Sequence, residues 1–285
     1  MVSKTVICIK SPLLLLCNFA ATKNVILMKY NYPIFISLFM VAIVVQGVRG
    51  QSPDSTSQIV SFSGSIGITN NGFSIIPTFS LNSPATIMNF SWRKNKFSFD
   101  PDFRLVPDAS KGGLLFWFRY RLIEQKKFQL RIGIHPAFTL VKRQVVENGT
   151  SSEITEMLRF AAGELVSTYQ IKPKWGVSAM FLHGSGLQLH GPQNTDVLFL
   201  STNFSDIHLG KDIRFQFIPM IFFLRTDGFT GNYLSATSIL SHKKSPFSIQ
   251  STLNQTITSN IPGNENFMWN VMFAYNFKKI YQIMR

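Results

Sequence analysis

Charged side chains fall at every second position of several runs in this chain, and that spacing is where its chemistry must be sought. Asp100, Asp102 and Arg104 alternate with Phe99, Phe103 and Leu105, and Arg119 and Arg121 alternate with Phe118, Tyr120 and Leu122. Arg131 and His135 share the parity opposite Ile132 and Ile134, and Arg214 lies between Ile213 and Phe215. A strand with period two puts such charges on one face and the apolar residues on the other. Guanidinium groups gathered on neighbouring strands can do one of two things. They can close with Asp100 and Asp102 into a paired network that fills an interior, because buried charge must be paired. They can instead form a basic track for anionic solutes, since arginine grips carboxylate or phosphate with two parallel donors.

Other constellations are weaker. Asp100-Pro101-Asp102 and Asp206-Ile207-His208 are similar in type to the two acids and Asp/His pair of barrel proteases, but acid–base work on one water needs the groups within hydrogen-bond reach. The strand pattern puts the first pair inside a strand and the second in a turn at one barrel end. His183-Gly184-Ser185-Gly186 sets a serine two residues from a histidine near the other rim, where barrel lipases carry such a pair. A nucleophile also needs a third, orienting group, and none is evident in the sequence. The five histidines, His135, His183, His190, His208 and His242, show no metal-ligand spacing, and Gly64 and Gly67 are followed by no helix that would cradle phosphate. No cofactor or metal is expected.

The elements that must hold these residues begin well inside the chain. Residues 33–45 are mostly apolar, follow Met28-Lys29 and precede Gln46-Gly47-Val48-Arg49-Gly50, which reads as a secretory signal over 28–50 cut near Gly50 and Gln51. The apolar run is short of the roughly 20 residues of a membrane helix. Residues 1–27 read as an over-extension ahead of the true start. Cys8 and Cys17 both lie there, so the exported chain has no disulfide, thiolate metal site or cysteine nucleophile. Five of the 28 basic residues and none of the 14 acidic ones precede Gln51, leaving a net +9. In an exported protein that excess points to anionic surfaces or solutes and away from nucleic acid.

From 73 onward the sequence is a series of short alternating runs separated by turn residues. Twelve strands are predicted, at 73–82, 84–93, 96–106, 113–124, 127–142, 154–171, 174–186, 195–205, 211–226, 229–241, 247–259 and 266–277. Runs near ten residues, outward stripes rich in phenylalanine, and inward faces of arginine and small residues favour a membrane barrel over a soluble sandwich. The fold predicted is all-β: a transmembrane antiparallel up-and-down barrel, with twelve strands inside a range of ten to fourteen. With both termini in the periplasm, the longest connections, at 106–113, 142–154, 186–195 and 260–266, fall outside the cell. Residues 51–72 are expected to be a polar linker and lead segment, with 61–69 in the periplasm or inserted in the lumen, and 278–285 a short extension beyond the barrel.

The runs "GFSIIPTFSLNSPA", "KFSFDPDFRL", "LLFWFRYRL", "GIHPAF", "KPKWGVSAMFLHGSGL" and "WNVMFAYNF" resemble a group of porin-like outer-membrane barrels of Gram-negative bacteria with no assigned activity. That resemblance implies placement in the outer membrane among its lipids. The closing strand at 267–277, with Phe267, Trp269, Val271, Phe273, Tyr275 and Phe277 on one parity, is similar to the signal read by the barrel-assembly machinery, although eight residues follow it. The function expected is a narrow channel for small anionic solutes, lined by Asp100, Asp102, Arg104, Arg119, Arg121, Arg131, His135 and Arg214, or a structural surface barrel. Two alternatives stand beside it: a barrel hydrolase acting on lipid or peptide, and a soluble periplasmic barrel holding an apolar ligand.

Overall fold

The computed structural model describes residues 58–74, 79–147, 150–189 and 191–283. The expected signal at 28–50, both cysteines and His190 lie outside the described residues.

Twelve strands follow one another: β1 Gln58–Thr69, β2 Ala85–Lys94, β3 Phe97–Leu105, β4 Gly112–Glu124, β5 Phe128–Glu147, β6 Thr150–Lys172, β7 Trp175–Gly186, β8 Asn194–His208, β9 Ile213–Thr226, β10 Phe229–His242, β11 Phe247–Ser259 and β12 Phe267–Ile283. Each pairs antiparallel with its sequence neighbour, and β1 pairs with β12 to close the ring. Closure leaves the ring itself without an open strand edge, the condition for a sheet surrounded by hydrocarbon. Several of the strands reverse through short turns. Asn95 takes a left-handed φ of 52° between β2 and β3, and Asp227-Gly228, at φ 47° and 92°, make the two-residue hairpin between β9 and β10.

The alternation sorts two environments as the sequence pattern requires. On β12, Phe267, Trp269, Val271, Phe273 and Tyr275 are exposed, while Met268, Asn270, Met272 and Ala274 are buried. Outward rings tile the outside in cross-strand stacks: Phe99 on Phe118 at 4.9 Å, Phe247 on Phe273 at 5.2 Å. Trp92, Tyr120, Ile132, Ile134 and Leu200 continue this apolar exterior.

Four expectations at the strand ends are corrected. Residues 61–69 are not a lead segment; they belong to β1, which pairs with β12 from Gln58–Ile283 to Thr69–Met272 and with β2 on its other edge. The inward positions of β1 are Ser61, Ser63, Ser65, Gly67 and Thr69, which fit a crowded lumen but give a faint apolar rhythm. Of the strand expected at 73–82, the described residues, 73–74 and 79–82, are not in a strand. Gly72 N donates to Ser83 O at 2.8 Å and Leu81 N to Gly72 O at 2.9 Å, so the chain turns back on itself between β1 and β2. The loop expected at 142–154 is instead a projecting β5–β6 ribbon, paired as far as Glu147–Thr150 and braced by Lys142–Glu153 and Arg143–Glu156. Beyond Phe277, residues as far as Ile283 continue β12, because β1 reaches back to meet them.

Candidate functional site

The predicted charges do converge, on the inner wall made by β2 to β6. Arg104 grips Asp102 with two bonds, Nε to Oδ1 at 3.0 Å and Nη2 to Oδ2 at 2.7 Å. Arg119 bridges two acids, donating from Nη1 to Asp100 Oδ2 at 2.9 Å and from Nε to Glu164 Oε1 at 2.8 Å. Arg131 Nη2 reaches the same Glu164 oxygen at 3.1 Å. Asp100 also accepts from Ser91 and Ser98. Nearer the end that carries the termini, Arg121 and Arg93 share Glu124. Arg214 lies apart from this cluster, on β9, where Asp206 accepts from it and from Lys174.

Glu164 is the residue that sequence reasoning missed. Its side chain is 1% exposed and ties two arginines together. The signal for it was an acid on the inward parity of β6, set opposite Gly133. A Cβ at Gly133 would come within 2.9 Å of Glu164 Cγ and 3.0 Å of Arg119 Cγ, so the absence of a side chain there makes room for the pair.

The facing wall is apolar, which the expectation of a polar cavity did not include. Trp117, Leu182, Val197, Phe199, Phe222, Leu224 and Tyr233 form one buried cluster reaching from β4 to β10, joined by Ile261 from the β11–β12 loop. Val197, Phe222 and Tyr233 are fully buried. Phe222 stacks on Tyr233 at 4.6 Å, whose hydroxyl donates to Asn264 at 2.8 Å. The two walls meet at Trp117, which has the Arg119 guanidinium 4.3 Å from its ring and the His135 ring at 3.7 Å. Among the described residues, His135 Nδ1 is buried and makes no hydrogen bond.

Part of the β1–β2 connection enters this space. Phe79 packs edge-on against Phe160 at 5.4 Å, among the inward residues Leu115, Ala137 and Leu158. Beneath it lies a cavity of about 300 Å³ whose lining includes Leu81, Arg104, Trp117, Arg119, His135 and Phe199.

The remaining candidates separate. Asp100 and Asp102 are each spent on an arginine, whereas Asp206 and His208 close the far end of β8, where His208 Nδ1 meets Asp206 O at 3.0 Å. His183 and Ser185 are outside the barrel, and the structure supplies the third group that the sequence did not reveal. His183 Nδ1 is 2.7 Å from Asp196 Oδ1, and Ser185 Oγ is 3.4 Å from His183 Nε2. Asp196 is the cross-strand partner of His183, a relation visible only once β7 and β8 are in register.

No family model and no curated protein matches this sequence. Among solved structures, the KdgM porin superposes with a TM-score of 0.45 at 11% identity, covering 76% of this chain and 99% of its own. LpxR from Salmonella typhimurium gives 0.43 at 10% identity, covering 75% and 100%. OmpT, an outer membrane protein of Vibrio cholerae, gives 0.40 at 7% identity, covering 78% and 100%. An even-numbered antiparallel ring, an apolar and aromatic exterior and a charged, side-chain-filled interior make this chain a β-barrel of the outer-membrane type.

Proposed function

We propose that this protein is a surface barrel of the outer membrane whose lumen is held shut. One observation carries the reading: the inward arginines of β3 to β5 are bonded to carboxylates, and the opposite wall is a packed apolar cluster. An anion track needs guanidinium groups turned toward passing solute. Here Arg104, Arg119 and Arg131 hold Asp102, Asp100 and Glu164 instead. The export signal expected at 28–50 and the aromatic parity of β12, the strand offered to the assembly machinery, are part of the same reading.

Planar-bilayer recording tests it. The purified barrel is expected to show no steady conductance. An anion-selective current in the unmodified protein, altered by Arg119→Ala, would overturn the shut-lumen reading. A second reading, a gated pore, draws on the cavity beneath Phe79 and Leu81. Gly72 and Ser83 are already bonded, so excising 73–82 joins neighbouring ends. Under the gated reading that deletion conducts, and under the first it stays silent because the Trp117–Phe222 cluster remains.

A further inference from the structure

We infer that Ser185, His183 and Asp196 form a serine hydrolase site on the outer surface of the barrel, at the depth of membrane-lipid acyl esters. The reading goes beyond the shut lumen but rests on the outer-membrane placement for its depth.

Three observations carry it. The first is the hydrogen-bond series: Ser185 Oγ to His183 Nε2 at 3.4 Å, then His183 Nδ1 to Asp196 Oδ1 at 2.7 Å. The second oxygen of Asp196 accepts from Arg225 Nε and Nη2 at 3.1 and 2.5 Å, which fixes the carboxylate. A nucleophile, a base within reach of it and an acid orienting the base are the parts of covalent acyl transfer, recognised by geometry and not by fold.

The second is position. His183, Asp196 and Arg225 are partners across β7, β8 and β9, while their chain neighbours Leu182, Val197 and Leu224 are buried in the lumen. The trio therefore faces outward. Two residues further along each strand come Phe181, Leu198 and Phe223, all exposed and in register with Leu165 of β6. Polar residues thus give way to the apolar belt directly beneath the histidine, the level at which a lipid's ester carbonyl sits.

The third is a place for the acyl chain. An external furrow of about 510 Å³ lies further along the same face, lined in part by Ser167, Val177, Ala179, Leu200, Pro219 and Ile221. Ala179 is four residues from His183, about 13 Å along an extended strand.

The reaction consumes water and a carboxylic ester. Ser185 Oγ bonds to the ester carbonyl carbon while its proton passes to His183 Nε2, and Asp196 holds the resulting imidazolium through Nδ1–H. Collapse of the tetrahedral adduct breaks the carbon–oxygen bond to the alcohol, which leaves with the proton from Nε2. Water, giving its proton to His183, then attacks the acyl-serine carbon. The fatty acid departs, and Ser185 recovers its proton. Ser185 and His183 are the catalytic residues; Asp196 is a positioning residue.

The test is a fluorophosphonate probe applied to the barrel folded in vesicles of diacyl phospholipid, with fatty-acid release measured beside it. Phosphonylation is expected at Ser185, absent in Ser185→Ala, and lowered about a hundredfold in His183→Ala. Asp196→Asn should also lower it, with Asp196→Glu retaining part of the reactivity, a difference that a merely structural carboxylate would not produce. Each variant must keep the heat-modifiable gel mobility of a closed barrel. A folded, inserted barrel that takes no adduct at Ser185 overturns the site and leaves the membrane reading intact. A barrel that reacts in detergent but does not enter vesicles overturns the membrane placement and leaves the triad.

Discussion

Arg119 and Glu164 stand 45 positions apart in the chain, yet Nε and Oε1 meet at 2.8 Å inside the barrel. The contact crosses β5 above Gly133, and the same oxygen holds Arg131 from β5. Replacing Glu164 by Gln leaves Arg131 without its carboxylate and Arg119 with Asp100 alone. Breaking a buried pair from one side costs about 3–5 kcal/mol. Because the Arg131 side chain is 36% exposed, the loss should fall at or below the lower end of that range. Urea unfolding from lipid vesicles measures it. Glu164→Gln with Arg131→Met should recover part of the loss, and a double variant no better than the single would remove Glu164 from its proposed role.

Closure yields the second prediction. Deleting 58–69 strips β12 and β2 of their shared partner and exposes two edges to hydrocarbon. No heat-modifiable band should form. Deleting 73–82, by contrast, leaves the flanking Gly72 and Ser83, which are already hydrogen-bonded, to be joined, so folding should persist. The opposite pattern would mean that the ring closes through the other segment.

The difference between those two segments shows what the sequence could convey. On β12 the outward Phe267, Trp269, Val271 and Phe273 against inward Asn270 and Ala274 make the two faces plain from residue type alone. On β1 the inward face is serine and glycine and the outward one only partly apolar, so its rhythm is weak although its backbone closes the barrel. The stretch around Phe79 and Leu81 is apolar enough to imitate a strand, but its apolar side chains pack inward on Phe160 and Val106, a tertiary choice no local pattern encodes. The candidate sites divide in the same way. Asp100, Asp102, Arg104 and Arg119 announce themselves by spacing. Glu164 and Asp196 depend on cross-strand register, which fixes which acid stands opposite Gly133 and which opposite His183.

The apolar wall can be probed at Phe222. The side chain is fully buried, stacked on Tyr233 at 4.6 Å and tilted against Phe199 at 5.4 Å. Phe222→Ala should cost about 3–5 kcal/mol, the usual toll of removing a packed aromatic. Phe222→Leu should cost much less. Equal, small effects in vesicle unfolding would show that this wall is hydrated.

Asp108, in the connection between β3 and β4, gives a pH prediction. Its carboxylate accepts from the Ser110 hydroxyl at 2.7 Å and the Ser110 amide at 3.1 Å, and these bonds hold it below the ordinary carboxylate value. A depressed acid contributes order that is complete above its unfolded value of 3.8 and lost as pH falls through the lower folded one. The Ser110 amide resonance should therefore stay constant from pH 7 down to 4 and shift only below that. An inflection above the unfolded value would exclude the bond.

The lipid-facing parity is tested most directly at Phe118. It lies on β4 with its ring 39% exposed and stacked on Phe99, between the inward Trp117 and Arg119. If that face meets acyl chains, Phe118→Arg places a charge in hydrocarbon at a cost of about 2–4 kcal/mol near the bilayer midplane, falling toward zero at either interface. Phe118→Leu keeps the apolar surface and should lose only the stacking, about 1 kcal/mol. The two substitutions separate cleanly by environment, because in water an exposed arginine would be tolerated better than an exposed phenyl ring. Unfolding free energies in vesicles should rank wild type, Leu, then Arg. An arginine variant as stable as the wild type would mean that Phe118 faces water, and the outward row it shares with Phe99 and Tyr120 would have to be reassigned with it.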